Sequence, residues 1–92
     1  MSDSSPEVTV LYFAGASTAT GTSSERVRLS SPGPQPLSSL SSLLLSLHPG
    51  AGLEHVLRTC QWSVDAEMVE DPDSVLLKGG EEVAVIPPVS GG

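Results

Sequence analysis

The groups best placed to do chemistry sit at the end of the chain. Val83-Ala84-Val85-Ile86-Pro87-Pro88-Val89-Ser90-Gly91-Gly92 runs from an apolar, strand-like stretch through two prolines to a Gly-Gly carboxylate. Gly92 has no side chain, so the carboxylate is the reactive group of this tip. Two glycines can enter a slot too narrow for any Cβ atom. Pro87 and Pro88 stiffen the exit and hold it extended, and the residues beyond Pro88 could reach roughly 13 Å. The pattern describes a terminus built to be threaded into another protein's active site. A C-terminal carboxylate, with a pKa of about 3.3–3.7, is ionised near neutral pH and is a poor electrophile. Adenylation with ATP would activate it toward an incoming nucleophile. The chain has no G-x-x-x-x-G-K-[ST] phosphate loop for that step. Gly15 and Gly21 lie in a Ser/Thr/Ala-rich segment without a lysine, so the activating enzyme must be a separate protein.

Other reactive side chains have simpler readings. Cys60 is the rival reactive group, but only Arg58 stands near it as a cation, and a buried structural thiol is expected. His48 precedes Pro49 at a helix end, where it suits the C-terminal dipole. His55 is expected at the surface of a short helical turn. Two histidines and one cysteine without ligand spacing make no metal site. Glu67, Glu70, Asp71 and Asp73 surround a turn at Pro72, and contact with a basic partner is their functional alternative.

The chain has 92 residues and a formal charge of −7, with Arg26, Arg28, Arg58 and Lys78 as its cations. That balance argues against nucleic acid and against an anionic membrane surface as partners. It suits either solubility or a basic protein partner. The polar start, Met1-Ser2-Asp3-Ser4-Ser5-Pro6, predicts no secretory leader, and no apolar run approaches the ~20 residues of a membrane span. A single cysteine fits a reducing compartment.

The elements that must position the tail follow from periodicity. Residues 1–6 read as a disordered tail, 7–88 as one domain and 89–92 as a flexible tail. Glu7–Phe13 alternates as a strand, with Val8, Val10 and Tyr12 on one face and Thr9, Leu11 and Phe13 on the other. Ala14–Ser24 reads as a loop and Glu25–Leu29 as a second strand in a hairpin with the first. Ser31-Pro32-Gly33-Pro34-Gln35-Pro36 breaks the chain. Leu37, Leu40, Leu43, Leu44 and Leu47 then recur at helical spacing. Pro49-Gly50 ends that helix, and Leu53–Leu57 offers a short second one. Gln61–Val69 reads as one strand and Ser74–Leu77 as a short one. Gly79-Gly80 is a turn and Glu82–Ile86 the last strand. This order predicts an α+β domain, a mixed sheet of about five strands with one main amphipathic helix on one face. If Val8, Val10, Tyr12, Val83 and Val85 face the helix, then Leu11, Phe13, Ala84 and Ile86 face out and form a docking surface. Trp62 and the leucines are expected in the core.

The tail, together with Val8-Thr9-Val10-Leu11-Tyr12-Phe13-Ala14, His48-Pro49-Gly50 and Val64-Asp65-Ala66-Glu67-Met68-Val69, resembles the small, sulfur-carrying subunits of molybdopterin synthase, the MoaD family. The likeness spans about Glu7 to Gly92. Glu81 departs from it, standing where an Asp commonly follows the turn glycine. The resemblance implies a ubiquitin-like β-grasp with its first and last strands as central, parallel neighbours. It implies a cytosolic protein that is no enzyme alone and binds no permanent cofactor or metal. Gly92 would be activated by a ubiquitin-activating-type adenylyltransferase using ATP and would carry sulfur as a thiocarboxylate. The tail, Pro87, Pro88, Val89, Ser90 and Gly91, would thread Gly92 into the large catalytic subunit, in a heterotetramer of two small and two large subunits. There sulfur would pass to the cyclic pterin precursor during molybdenum cofactor biosynthesis. Two rivals use the same residues differently: a ubiquitin-like modifier conjugated to lysines through Gly92, and an acidic interaction domain whose Gly-Gly is incidental. A thiamin-pathway sulfur carrier is disfavoured by the Pro-Pro tail.

Overall fold

A computed structural model describes residues 6–29, 34–50 and 52–88. The readings for residues 1–5, Ser31-Pro32-Gly33 and Val89-Ser90-Gly91-Gly92 lie outside them. The five-stranded sheet consists of β1 (Glu7–Tyr12), β2 (Ser24–Arg28), β4 (Gln61–Val64), β5 (Glu67–Val69) and β7 (Glu82–Ile86), in the order β2-β1-β7-β4-β5. A small second sheet pairs β3 (Gln35–Pro36) with β6 (Leu76–Leu77). The helices are α1 (Gly15–Thr20), α2 (Ser38–Leu47) and α3 (Leu53–Thr59). As expected, β1 and β7 are central and parallel, with Tyr12 opposite Val85.

Alternation along β1 and β7 builds the core. Val8, Val10, Tyr12, Val83 and Val85 are each at most 2% exposed. They pack with Leu37, Leu40 and Leu44 of the α2 region, Leu53 and Leu57 of α3, and Trp62 of β4. Full burial of such an aliphatic side chain stabilises the fold by about 1.5–3 kcal/mol. The leucine stripe is narrower than its spacing suggests. Leu43 is half-buried and Leu47 is exposed at the helix end.

Five segments differ from the expectation. The loop assigned to Ala14–Ser24 contains α1, whose small residues give no apolar period. Burial of Ala16 holds this helix against the core, and Gly21 ends it in the left-handed region at φ 78°, donating to the Ser17 carbonyl. Gln61–Val69 is two strands rather than one, folded into a hairpin at Asp65 and Ala66. Ser74–Leu77 is strand only at Leu76–Leu77, because a 3-10 turn covers Pro72–Ser74. Finally, the proline-rich breaker supplies a strand, β3. Pro6, assigned to the N-terminal tail, accepts a hydrogen bond from the Leu29 amide.

The turn before β7 depends on Glu81. Its carboxylate accepts hydrogen bonds from the Lys78 and Gly79 amides at 2.9 and 2.8 Å. Partial burial alone would raise its pKa, but these donors outweigh burial and hold it below the ordinary carboxylate value. Glu at this position therefore orders the turn itself. Gly79 sits at φ 120°, and a Cβ there would lie 2.9 Å from Pro6 Cβ.

Candidate functional site

Strand β7 delivers the tail from the centre of the sheet, hydrogen-bonded to β1 on one side and β4 on the other. Two flanking strands fix the register of that base, since a one-residue shift would turn its buried valines outward. Because β1 and β7 are parallel, their C-terminal ends lie together. Phe13 donates its amide hydrogen bond to the Val85 carbonyl at 3.2 Å, and Ile86 lies opposite Gln61. Strand β7 ends at Ile86, and beyond it Pro87 is half-buried and Pro88 exposed. Gly92 and Val89–Gly91, the reacting and threading residues expected from the sequence, lie outside the described residues.

The four expected docking residues share the outward face, but unequally. Leu11 pairs with Ala84 across β1 and β7. Phe13 is 47% exposed, whereas Ala84 is only 6% exposed and adds little free surface. Leu11 and Ile86 are half-buried. The apolar surface is therefore centred on Phe13 and Ile86, at the end from which the tail departs.

Sequence reasoning missed Met68. Had Gln61–Val69 been one strand, alternation would have placed Met68 on the face of buried Trp62. The hairpin instead sets Val69 opposite Trp62 and Met68 opposite Ser63. Met68, 56% exposed, thereby joins an outward row with Leu11, Ala84 and Ser63. The turn was hard to read because Asp65 and Ala66 have φ of 52° and 72° without a glycine, and the left-handed region is uncommon for Ala.

A polar cluster on the helix side was also unexpected. The Tyr12 hydroxyl donates to Glu25, and His48 Nε2 lies 2.7 Å from the same carboxylate oxygen. The Tyr12 and His48 rings meet edge-on with centroids 6.0 Å apart. Burial, then the Glu25 carboxylate, pushes the Tyr12 phenol well above its ordinary pKa. The cluster fastens β1, β2 and the end of α2 together, and its members are too far apart in sequence for spacing to reveal it. His55 is exposed on α3. Among the described residues, no three His, Cys, Asp or Glu side chains form a group able to hold a metal.

Cys60 is half-buried, and its thiol points to the Leu57 carbonyl. Burial pushes it up to about 11, with its backbone hydrogen bond a smaller opposing effect. At neutral pH such a thiol stays protonated, which makes it a poor nucleophile. Asp71, in the acidic stretch, accepts from the Asp73 amide and caps the 3-10 turn.

A mixed sheet whose central parallel strands grip the C-terminal segment, with helices packed on one face, defines a ubiquitin-like β-grasp. The same architecture occurs in small archaeal modifier protein 1 from Methanosarcina acetivorans, with TM-score 0.75 and 20% identity over 95% of this chain and 97% of that one. It also occurs in the complex of subunits 1 and 2 of molybdopterin-converting factor from Helicobacter pylori, with TM-score 0.65 and 21% identity over 94% and 99%. At these identities the likeness establishes the fold alone.

Sequence relationship is more specific. The ThiS family profile matches residues 10–92, and the chain belongs to that family. It is 50% identical to the molybdopterin synthase sulfur carrier subunit of Mycosarcoma maydis, with all of both chains covered. It is 39% identical to the human protein of the same name, over 94% of each chain. The resemblance to the MoaD family seen in the sequence therefore holds.

Proposed function

We propose that this chain is the sulfur-carrying small subunit of a molybdopterin synthase. The observation that carries this reading is the 50% identity, along the whole chain, to a relative of that name. The Gly92 carboxylate attacks the α-phosphorus of ATP in a ubiquitin-activating-type adenylyltransferase, releasing pyrophosphate. A sulfur donor then displaces AMP and leaves a thiocarboxylate. The tail enters the large catalytic subunit, where the thiocarboxylate sulfur attacks a side-chain carbon of the cyclic pterin precursor and displaces the oxygen substituent on it, forming a thioester. Water cleaves the resulting thioester and restores the carboxylate. This chain supplies the reacting terminus and a docking face centred on Phe13 and Ile86, while the catalytic side chains belong to the large subunit. The assembly is a cytosolic heterotetramer of two small and two large subunits. No permanent cofactor is required, since ATP is consumed by the activating enzyme. Among the described residues, no helix is long and apolar enough to cross a membrane.

Intact mass spectrometry after incubation with ATP, the activating enzyme and a sulfur source tests the proposal. An oxygen-to-sulfur exchange is expected in the C-terminal peptide, unchanged in Cys60→Ala. Sulfur found on Cys60, with a Cys60→Ala protein that cannot be loaded, would overturn it. Gly91→Val is expected to fold normally yet transfer sulfur poorly, because its branched side chain restricts φ and obstructs a narrow channel.

A further inference from the structure

The open edge of the sheet carries a second surface. Strand β5 is terminal in the strand order and, among the described residues, pairs with β4 alone. Beyond it lies a groove of about 700 Å³ running between the β4–β5 hairpin and the segment after the 3-10 turn. Val64, Val69 and Val75 are half-buried apolar side chains along it, and Met68 is exposed at its border. Asp65, Glu67, Glu70 and Asp71 rim it, all exposed, and no Lys or Arg lines it. Among the described residues, no salt bridge engages Glu67 or Glu70, whereas Glu7, Glu25 and Glu54 each face a cationic or imidazole partner.

We propose that β5 accepts an extended, basic segment of a partner protein as an added strand, with alternating apolar and cationic side chains. An unpaired edge offers backbone donors and acceptors to any extended chain, and side-chain pockets decide which chain stays. Here the valines would receive the apolar side chains of the added strand. Glu70, which alternation sets on the opposite side from Val69, would select Lys or Arg at the added strand's other positions, and the carboxylates of the rim together would repel an acidic strand. Nothing in this surface depends on Gly92, so it goes beyond sulfur carriage and would stand if that reading fell.

The test uses the full chain, labelled with nitrogen-15, and a short capped peptide alternating arginine and valine. Saturable binding is expected, with amide shifts centred on Glu67–Val69 and Val75. Glu70→Lys is expected to weaken binding about tenfold, and Glu54→Lys, the same charge change on α3, less than about threefold. A glutamate–valine peptide should not bind. A peptide N-methylated at alternate residues, which keeps its charge but loses strand hydrogen bonds, should bind much more weakly. Equal losses in the two lysine variants, or shifts spread over all acidic positions, would mean generic attraction to an acidic protein and overturn the proposal. So would shifts centred on Phe13 and Ile86, or undiminished binding of the N-methylated peptide.

Discussion

The two faces of β1 and β7 are made from the same strands and serve opposite ends. On the helix side, Val8, Val10, Tyr12, Val83 and Val85 are sealed. On the outer side, Leu11 and Ile86 are half-buried and Phe13 is nearly half-exposed. Period-two geometry separates the two sets residue by residue. An inward side chain therefore contributes to stability, and its neighbour in sequence can contribute to binding with little effect on the fold. The proposed function calls for both: a rigid platform for the tail, and a surface to hold the platform against a larger partner.

Breaking the inner layer should have the largest effect. Leu44→Ala removes a fully buried side chain and is expected to cost about 2–5 kcal/mol, much of the stability of a small domain. A sharp fall in melting temperature would show it. A change of only a few tenths of a kcal/mol would mean that the helix-side core is loosely packed.

The outer face should respond the other way. Phe13→Ala and Ile86→Ala are each expected to cost about 2 kcal/mol in binding to the large subunit, roughly a thirtyfold loss of affinity. Their melting temperatures should stay near the parent's. Titration calorimetry beside thermal unfolding separates the two effects. Unchanged affinity for both variants would move the interface elsewhere on the protein.

His48→Ala should be milder. It removes the partner 2.7 Å from Glu25 and is expected to cost about 1 kcal/mol. Affinity for the large subunit should be unchanged, because the lost tie lies on the helix side. A loss of binding comparable to that of Phe13→Ala would show that the two faces are coupled through Tyr12.

The smallest effect concerns the turn leading into β7. Glu81 has a depressed pKa when folded, so its carboxylate stabilises the protein above its ordinary value. That contribution is lost as pH falls through the folded value. The melting temperature of Glu81→Gln should lie modestly below the parent's at neutral pH, and the gap should close on acidification. A gap independent of pH would remove the ionised carboxylate from the account.

Much of this division was legible beforehand, because β1 and β7 alternate without interruption and lie side by side. The Pro-Pro exit could likewise be read from composition. The failures came where local signals were weak or remote. Helix α1 is built from Gly, Ala, Ser and Thr, which carry no apolar period, and it is held by burial of Ala16. The β4–β5 turn uses Asp65 and Ala66 where a hairpin signal would show glycine, and that one turn decides which face Met68 occupies. The Tyr12–Glu25–His48 cluster joins residues that only the packing of α2 beside the β1–β2 hairpin brings together.

The sequence by itself determined which side chains of the central strands point inward and which point outward, and where the last strand ends. Both follow from the fixed two-residue period of a strand and the fixed φ of proline. Tertiary structure alone decided how much of each outward residue meets solvent, where the β4–β5 hairpin reverses, and which distant polar groups meet. Exposure and long-range contact depend on neighbours that no local window of residues contains.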